Sequence, residues 1–139
     1  MKSLQQWLNT DDVFAAQAGA RITKIEEGMA QANMTVHSSH LNAGGVCQGG
    51  ALFTLADLAL AAVMNSEGHL TLSLQTNIIF HASAHTGDRL TATAQAVHHH
   101  HRVPTFEVRI TNQDEQLIAT LTAVAYRKQQ NIGSILNEH

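Results

Sequence analysis

The chain has 139 residues, a formal net charge of -3 and only 14% charged residues. That length suits one domain with one core, and the charge offers no basic face for nucleic acid. No run of eighteen apolar residues would span a bilayer, the start Met1-Lys2-Ser3-Leu4 lacks the apolar stretch of a secretory signal, and the single Cys47 cannot close an internal disulfide. A cytoplasmic setting without nucleic-acid or membrane partners is therefore expected.

From Leu4 to Ala18 the apolar points Leu4, Trp7, Leu8, Phe14 and Ala15 have roughly helical spacing, interrupted by the capping run Asn9-Thr10-Asp11-Asp12. This predicts one or two short peripheral helices over residues 1–20. From Arg21 the pattern alternates, through Ile25 and again from Met29 to Val36, with Glu26-Glu27-Gly28 as a turn, which predicts a hairpin. A glycine-bearing loop from Asn42 to Gln48 then leads into the apolar run Gly49 to Met64, too long for a strand and apolar all round, which predicts a buried central helix with Gly68 as its left-handed cap. Strands follow from Leu70 to Phe80, Arg89 to about His99, Phe106 to Asn112 and Leu117 to Tyr126. They are separated by Thr86-Gly87-Asp88, by a break at Arg102-Val103-Pro104 and by Gln113-Asp114-Glu115-Gln116. The tail over 129–139 lies between a short helix and an unstructured end. The order is α+β, an antiparallel sheet curled around one long helix, in one domain spanning 1–139.

Asp57 is anomalous in the central run, because an ionised carboxylate in a core is costly unless it is paired. Its bland reading is a carboxylate bonded to nearby backbone or to Thr54. Cys47 reads as a small packed side chain rather than a nucleophile. Ten histidines, four of them consecutive at His98 to His101, invite a metal reading, but no carboxylate or cysteine pattern accompanies them, and no metal is expected.

Asn42-Ala-Gly-Gly-Val-Cys-Gln-Gly49-Gly50-Ala-Leu-Phe-Thr-Leu-Ala-Asp57, with Ser73-Leu-Gln-Thr-Asn-Ile-Ile-Phe80 and Gly87-Asp88-Arg-Leu downstream, resembles the hotdog-fold acyl-CoA thioesterases of the phenylacetate-pathway (PaaI) type. The resemblance covers roughly Gly19 to Arg127. It implies hydrolysis of acyl-CoA, of phenylacetyl type or medium chain, to free acid and CoA without a cofactor. It also implies catalytic roles for Gly49 (the backbone N–H that polarises the thioester carbonyl), Asp57 (base or nucleophile), Asn42, Gln48 and Ser73, in sites shared across a homodimer that associates further into a homotetramer. Gly50, Phe53, Thr54 and Leu58 are expected to line the acyl pocket, and Arg102 to meet coenzyme A.

The chemistry supports these roles independently. A helix N-terminal amide suits a developing oxyanion, and a carboxylate can either activate water or attack the thioester itself. Two positions depart from the family pattern. Gln48 stands where the family commonly has a histidine, and Phe80-His81-Ala82-Ser83 replaces a frequent Arg-Pro pair. Two other readings remain open at this stage, a non-catalytic acyl-CoA binding module and a hydratase or dehydratase on the same fold.

Overall fold

The computed structural model describes residues Lys2–Glu138; Met1 and His139, the ends of the expected domain, lie outside them. Two short helices, α1 (Leu4–Asp11) and α2 (Val13–Ala18), precede the hairpin β1 (Arg21–Glu26) and β2 (Met29–Thr35). The central helix α3 (Gly49–Met64) follows, then β3 (His69–Phe80), β4 (Arg89–His98), β5 (Thr105–Thr111), β6 (Leu117–Asn131) and α4 (Ile132–Leu136). The strands form one antiparallel six-stranded sheet in the order β1-β2-β4-β5-β6-β3, so β3 closes one edge and β1 the other.

Alternation decides which way the sheet faces. Ala30, Ala32 and Met34 of β2, Leu90, Ala92 and Ala94 of β4, and Phe106, Val108 and Ile110 of β5 turn toward α3 and are buried. The many alanines let the sheet approach the helix closely, which is how a small chain builds a dense core with few aromatics. The helix answers with Leu52, Leu55, Ala56, Leu58, Ala59, Leu60, Ala62 and Val63, all buried.

The sheet does not enclose the helix completely. The positions of α3 between its second and thirteenth residues that are not buried are Gly50, Ala51, Phe53, Thr54, Asp57 and Ala61. Five of these, Gly50, Phe53, Thr54, Asp57 and Ala61, recur at helical spacing and form one stripe with Asp57 at its middle. The expectation of an aspartate sunk in the core is corrected accordingly. Asp57 is half-buried on the one side of the helix that the sheet leaves open.

Two element boundaries also differ from expectation. The helix stops at Met64 with Asn65 as its cap at φ -99, while Gly68, at φ 97, makes the later turn into β3. Strand β6 runs on to Asn131, because the polar run 127–131, which shows no alternation, is held by backbone pairing to β3 from Thr71↔Arg127 to His69↔Asn131. The tail beyond it takes the first of its two expected forms, the short helix α4, and a 3-10 turn at Ser38–His40 adds an element without a sequence signal.

Candidate active site

The site begins at the loop before α3. Asn42 Oδ1 accepts hydrogen bonds from the N–H groups of Gly44 (2.9 Å) and Val46 (3.3 Å), and Asn42 N–H donates to Val46 O (2.8 Å), which closes residues 42–46 into a tight loop. The side-chain nitrogen of the exposed Asn42 has no acceptor among the described residues and remains a donor. Gln48 then caps the helix: its Oε1 accepts from Gly50 N–H at 2.9 Å, and its carbonyl accepts from Ala51 N–H and Leu52 N–H. The Nε2 end of Gln48, which is exposed, remains available as a donor.

Gly49 is the first residue of α3, and its N–H has no acceptor within the described residues. An unmade bond at a helix N-terminus, aligned with the helix dipole, is what an oxyanion contact requires. A Cβ at this position would meet Phe80 Cζ at 2.9 Å, so the ring of Phe80 packs directly over the first residue of α3 and would have to turn aside for any larger residue.

Asp57 lies eight positions further along α3. Its carboxylate makes no hydrogen bond or ion pair among the described residues. The Thr54 hydroxyl, the partner expected in the bland reading, instead donates back to Gly50 O at 2.8 Å. Burial, and then the nearby carboxylate of Asp12, raise the proton affinity of Asp57 above the ordinary aspartate value. A carboxylate left unpaired in a partly dry position has the character of a base.

The other expected site residues are distributed unevenly. Asn42, Gln48, Gly50 and Thr54 share the wall of a cleft of about 640 Å³ together with Phe14, Gln17 and Ala18 of α2 and His40. Gly49 and Asp57 are not on that wall. Ser73 is exposed on the edge strand β3, opposite Ala125 of β6 and therefore on the helix side of the sheet. Phe53 is half-buried against the core.

Leu58 is 1% exposed, packed inside the core, and presents no surface to a ligand, so its expected place in an acyl pocket is corrected. Arg102 lies in the loop before β5, where its carbonyl accepts from Arg127 N–H (2.8 Å). That loop is at the end of the sheet next to the C-terminus of α3, away from Gly49 of the same chain.

The histidines are accounted for differently from one another. His40 is buried. Its Nδ1 accepts from His37 N–H (2.9 Å), which leaves Nε2 protonated to donate to Ala18 O (2.6 Å), so it ties the loop to α2 and does not stand in for a histidine at position 48. His99 Nδ1 meets Glu67 at 2.9 Å, and His100 Nδ1 accepts from the N–H groups of Arg102 and Val103. Among the described residues no group of three or more His, Cys, Asp or Glu side chains could hold a metal ion, and no helix is long and apolar enough to cross a membrane. Cys47 is buried, and burial pushes its thiol up.

Comparison with known proteins agrees with this architecture. Residues 44–119 match the thioesterase superfamily. The acyl-coenzyme A thioesterase PaaI of Escherichia coli is 35% identical over 117 residues, 84% of this chain and 84% of that protein. The solved structure of E. coli PaaI superposes with a TM-score of 0.82 at 32% identity, covering 93% of this chain and 99% of that one. A mutant of the phenylacetic acid degradation protein PaaI from Thermus thermophilus gives 0.80 at 27% identity, covering 84% and 100%. A hypothetical thioesterase from Streptococcus pneumoniae, solved with coenzyme A, gives 0.80 at 29% identity, covering 88% and 98%. The chain belongs to the thioesterase superfamily and is a PaaI-type thioester hydrolase of α+β hotdog fold.

Proposed function

We propose that this protein hydrolyses acyl-CoA thioesters to a free acid and coenzyme A, at sites that each combine Gly49 of one copy with Asp57 of another. The observation that carries this reading is the unpaired carboxylate of Asp57 in the middle of the open stripe of α3. Eight residues of helix put the backbone of Asp57 about 12 Å along the axis from that of Gly49 and about 80° around it, so the two groups do not face one another within a chain. In the reading proposed here a second copy supplies the carboxylate that faces each Gly49 amide. The small side chains at Gly50 and Ala61 on that stripe let a second helix come close. Strand β3, with Leu72, Leu74, Ile79 and Phe80 exposed on an open edge, offers the surface for the pairing. Two such dimers forming a tetramer, one hotdog domain spanning the chain and a cytoplasmic location belong to the same reading.

The chemistry follows from the groups available. The thioester carbonyl oxygen accepts the Gly49 N–H, and the donors of Gln48 and Asn42 border the cleft beside it. Asp57 takes a proton from water as its oxygen bonds to the carbonyl carbon. Collapse of the tetrahedral species breaks the C–S bond, and the departing sulfur takes the proton that Asp57 received, which restores the carboxylate. Alternatively the Asp57 carboxylate bonds the carbon directly, expels the thiolate and forms a mixed anhydride that water then opens. In a single turnover in ¹⁸O-labelled water, unlabelled acid with label left in Asp57 identifies an anhydride opened at the Asp57 carbonyl, since the original carboxylate oxygen then stays with the acyl group. Ser73, on the helix side of β3, completes the catalytic set as a hydroxyl that places the water. Gly50, Phe53 and Thr54 form the substrate-facing part of the stripe, and Arg102 of a neighbouring copy meets the coenzyme phosphates.

The test is thiol release from phenylacetyl-CoA and medium-chain acyl-CoA by wild type and Asp57→Asn. Release by the wild type that the variant lacks supports the reading. Equal release by both overturns the role of Asp57. Tight acyl-CoA binding with no thiol release by the wild type would favour a binding module instead.

A further inference from the structure

The cleft between α2 and the first turn of α3 has an apolar wall that none of the assigned roles uses. Phe14 is 73% exposed and Val13 is 60% exposed, on a helix of only six residues. This exposure is not fraying. Asp12 Oδ1 caps the helix at Ala15 N–H (3.1 Å), Gly19 closes it in the left-handed conformation with its N–H on Ala15 and Ala16, Ala15 is buried, and His40 Nε2 holds the carbonyl of Ala18. The fold clamps α2 on both sides of Phe14 and leaves the ring facing the cleft. A large apolar side chain displayed from a rigid support in a concavity is an unsatisfied surface rather than an ordinary exposed hydrophobe.

The opposite wall carries the free donors of Asn42 and Gln48 with Gly50 and Thr54. A volume of about 640 Å³ is of the size that holds a small molecule, with apolar surface on one side and a few polar groups on the other. The matching ligand has an apolar body one or two bonds from a carbonyl. We propose that Phe14 determines acyl-group specificity, its ring packing against an aryl or bulky acyl chain whose carbonyl lies at the first turn of α3. This rests on the thioesterase reading above and deepens it. Helix α2 also precedes residues 44–119, so the selecting surface stands outside the stretch matched to the superfamily.

The test compares kcat/KM for phenylacetyl-CoA, hexanoyl-CoA and acetyl-CoA in wild type, Phe14→Ala, Phe14→Leu and the neighbouring control Val13→Ala. Removing the ring is expected to lower kcat/KM for phenylacetyl-CoA by roughly tenfold, the scale of a lost apolar pocket contact, while acetyl-CoA changes by less than about twofold. Phe14→Leu is expected to restore hexanoyl-CoA but not phenylacetyl-CoA, and Val13→Ala to leave the ratios unchanged. An equal fall across the panel, or no change, overturns the assignment and leaves the hydrolase reading standing. A smaller assembly in gel filtration of Phe14→Ala also overturns it, by making the ring a contact between copies. Absence of thiol release from every thioester by the wild type brings down both.

Discussion

The two ends of α3 are built in opposite ways. At its C-terminal end Asn65 Nδ2 donates to Ala61 O (2.8 Å) and Asn65 Oδ1 accepts from Thr71 N–H (2.9 Å). Ser66 Oγ donates to Val63 O and accepts from Gly28 N–H, and Glu67 is shared between His99 and Arg127. Apart from Nε of Arg127, the buried side-chain polar atoms described there are satisfied. At the N-terminal end the Gly49 amide, the Gln48 carboxamide nitrogen and the Asn42 amide nitrogen lack partners among the described residues. Halfway along, Asp57 is likewise unpaired. Hydrogen bonds completed within the chain stabilise the fold, whereas those left open are available to a ligand, so one helix separates the two tasks by its ends.

Asp57→Asn should break the contrast most sharply. Losing the base is expected to lower kcat/KM by about 10³-fold or more, roughly 4 kcal/mol of barrier. The melting temperature should nevertheless hold or rise. The folded-state pKa of Asp57 is raised above its unfolded value, so the stability linked to its proton is present at low pH and lost as pH rises through the folded value, and at neutral pH the charge is a burden. The acid limb of the pH–kcat/KM profile should accordingly fall above the ordinary aspartate value, and it should move down in Asp12→Asn. A melting temperature lowered by several degrees in Asp57→Asn would mean that the carboxylate is structural.

At the saturated end the expectation reverses. Asn65→Ala leaves the buried Thr71 N–H and the last carbonyls of the helix without their partner, which should cost about 2–3 kcal/mol in urea unfolding. Turnover per folded molecule should stay within a factor of about two, since nothing at the N-terminal end depends on that amide.

This division explains what could be read from the sequence. The element order, the alternation of β2, β4 and β5 and the existence of α3 follow from local periodicity. The motif from Asn42 to Asp57 runs from the open N-terminal end of α3 to the middle of its exposed stripe. What periodicity could not show was which part of an all-apolar helix the sheet leaves open. Helical spacing puts Gly50, Phe53, Thr54, Asp57 and Ala61 on one face, but so many apolar neighbours hide a stripe whose only markers are one carboxylate, one hydroxyl and small side chains. Leu58 shows the difficulty, being next to Asp57 in sequence yet about 100° around the helix from it and inside the core. Phe14 was visible only as one apolar point of a peripheral helix. Its exposure depends on the His40 to Ala18 bond across 22 residues, a contact with no local signal.

A smaller effect is expected at Gly49. An added methyl group must displace the Phe80 ring, whose nearest atom would be 2.9 Å away. The ring is 51% exposed and can turn aside, so Gly49→Ala should cost only about 1 kcal/mol of stability, while the shifted backbone N–H lowers kcat/KM by about tenfold. Phe80→Leu in the same chain should recover part of the stability. Recovery of activity as well would indicate that ring position, rather than amide position, limits the reaction.

The smallest change tests the donor side of Gln48 apart from its cap. In Gln48→Glu an oxygen still accepts from Gly50 N–H, now with a charge that complements the helix N-terminus, so stability should stay level or rise by about 0.5 kcal/mol. The Nε2 donor, however, is gone, and a negative charge stands beside the developing oxyanion. A fall in kcat/KM of about tenfold, with KM little changed, is therefore expected if the carboxamide donates in the transition state. Gln48→Ala should give the opposite balance in stability, losing about 1 kcal/mol with the cap. If the activities of the two variants instead track their stabilities, Gln48 acts only as a cap, and the open end of the helix consists of Gly49 and Asn42 alone.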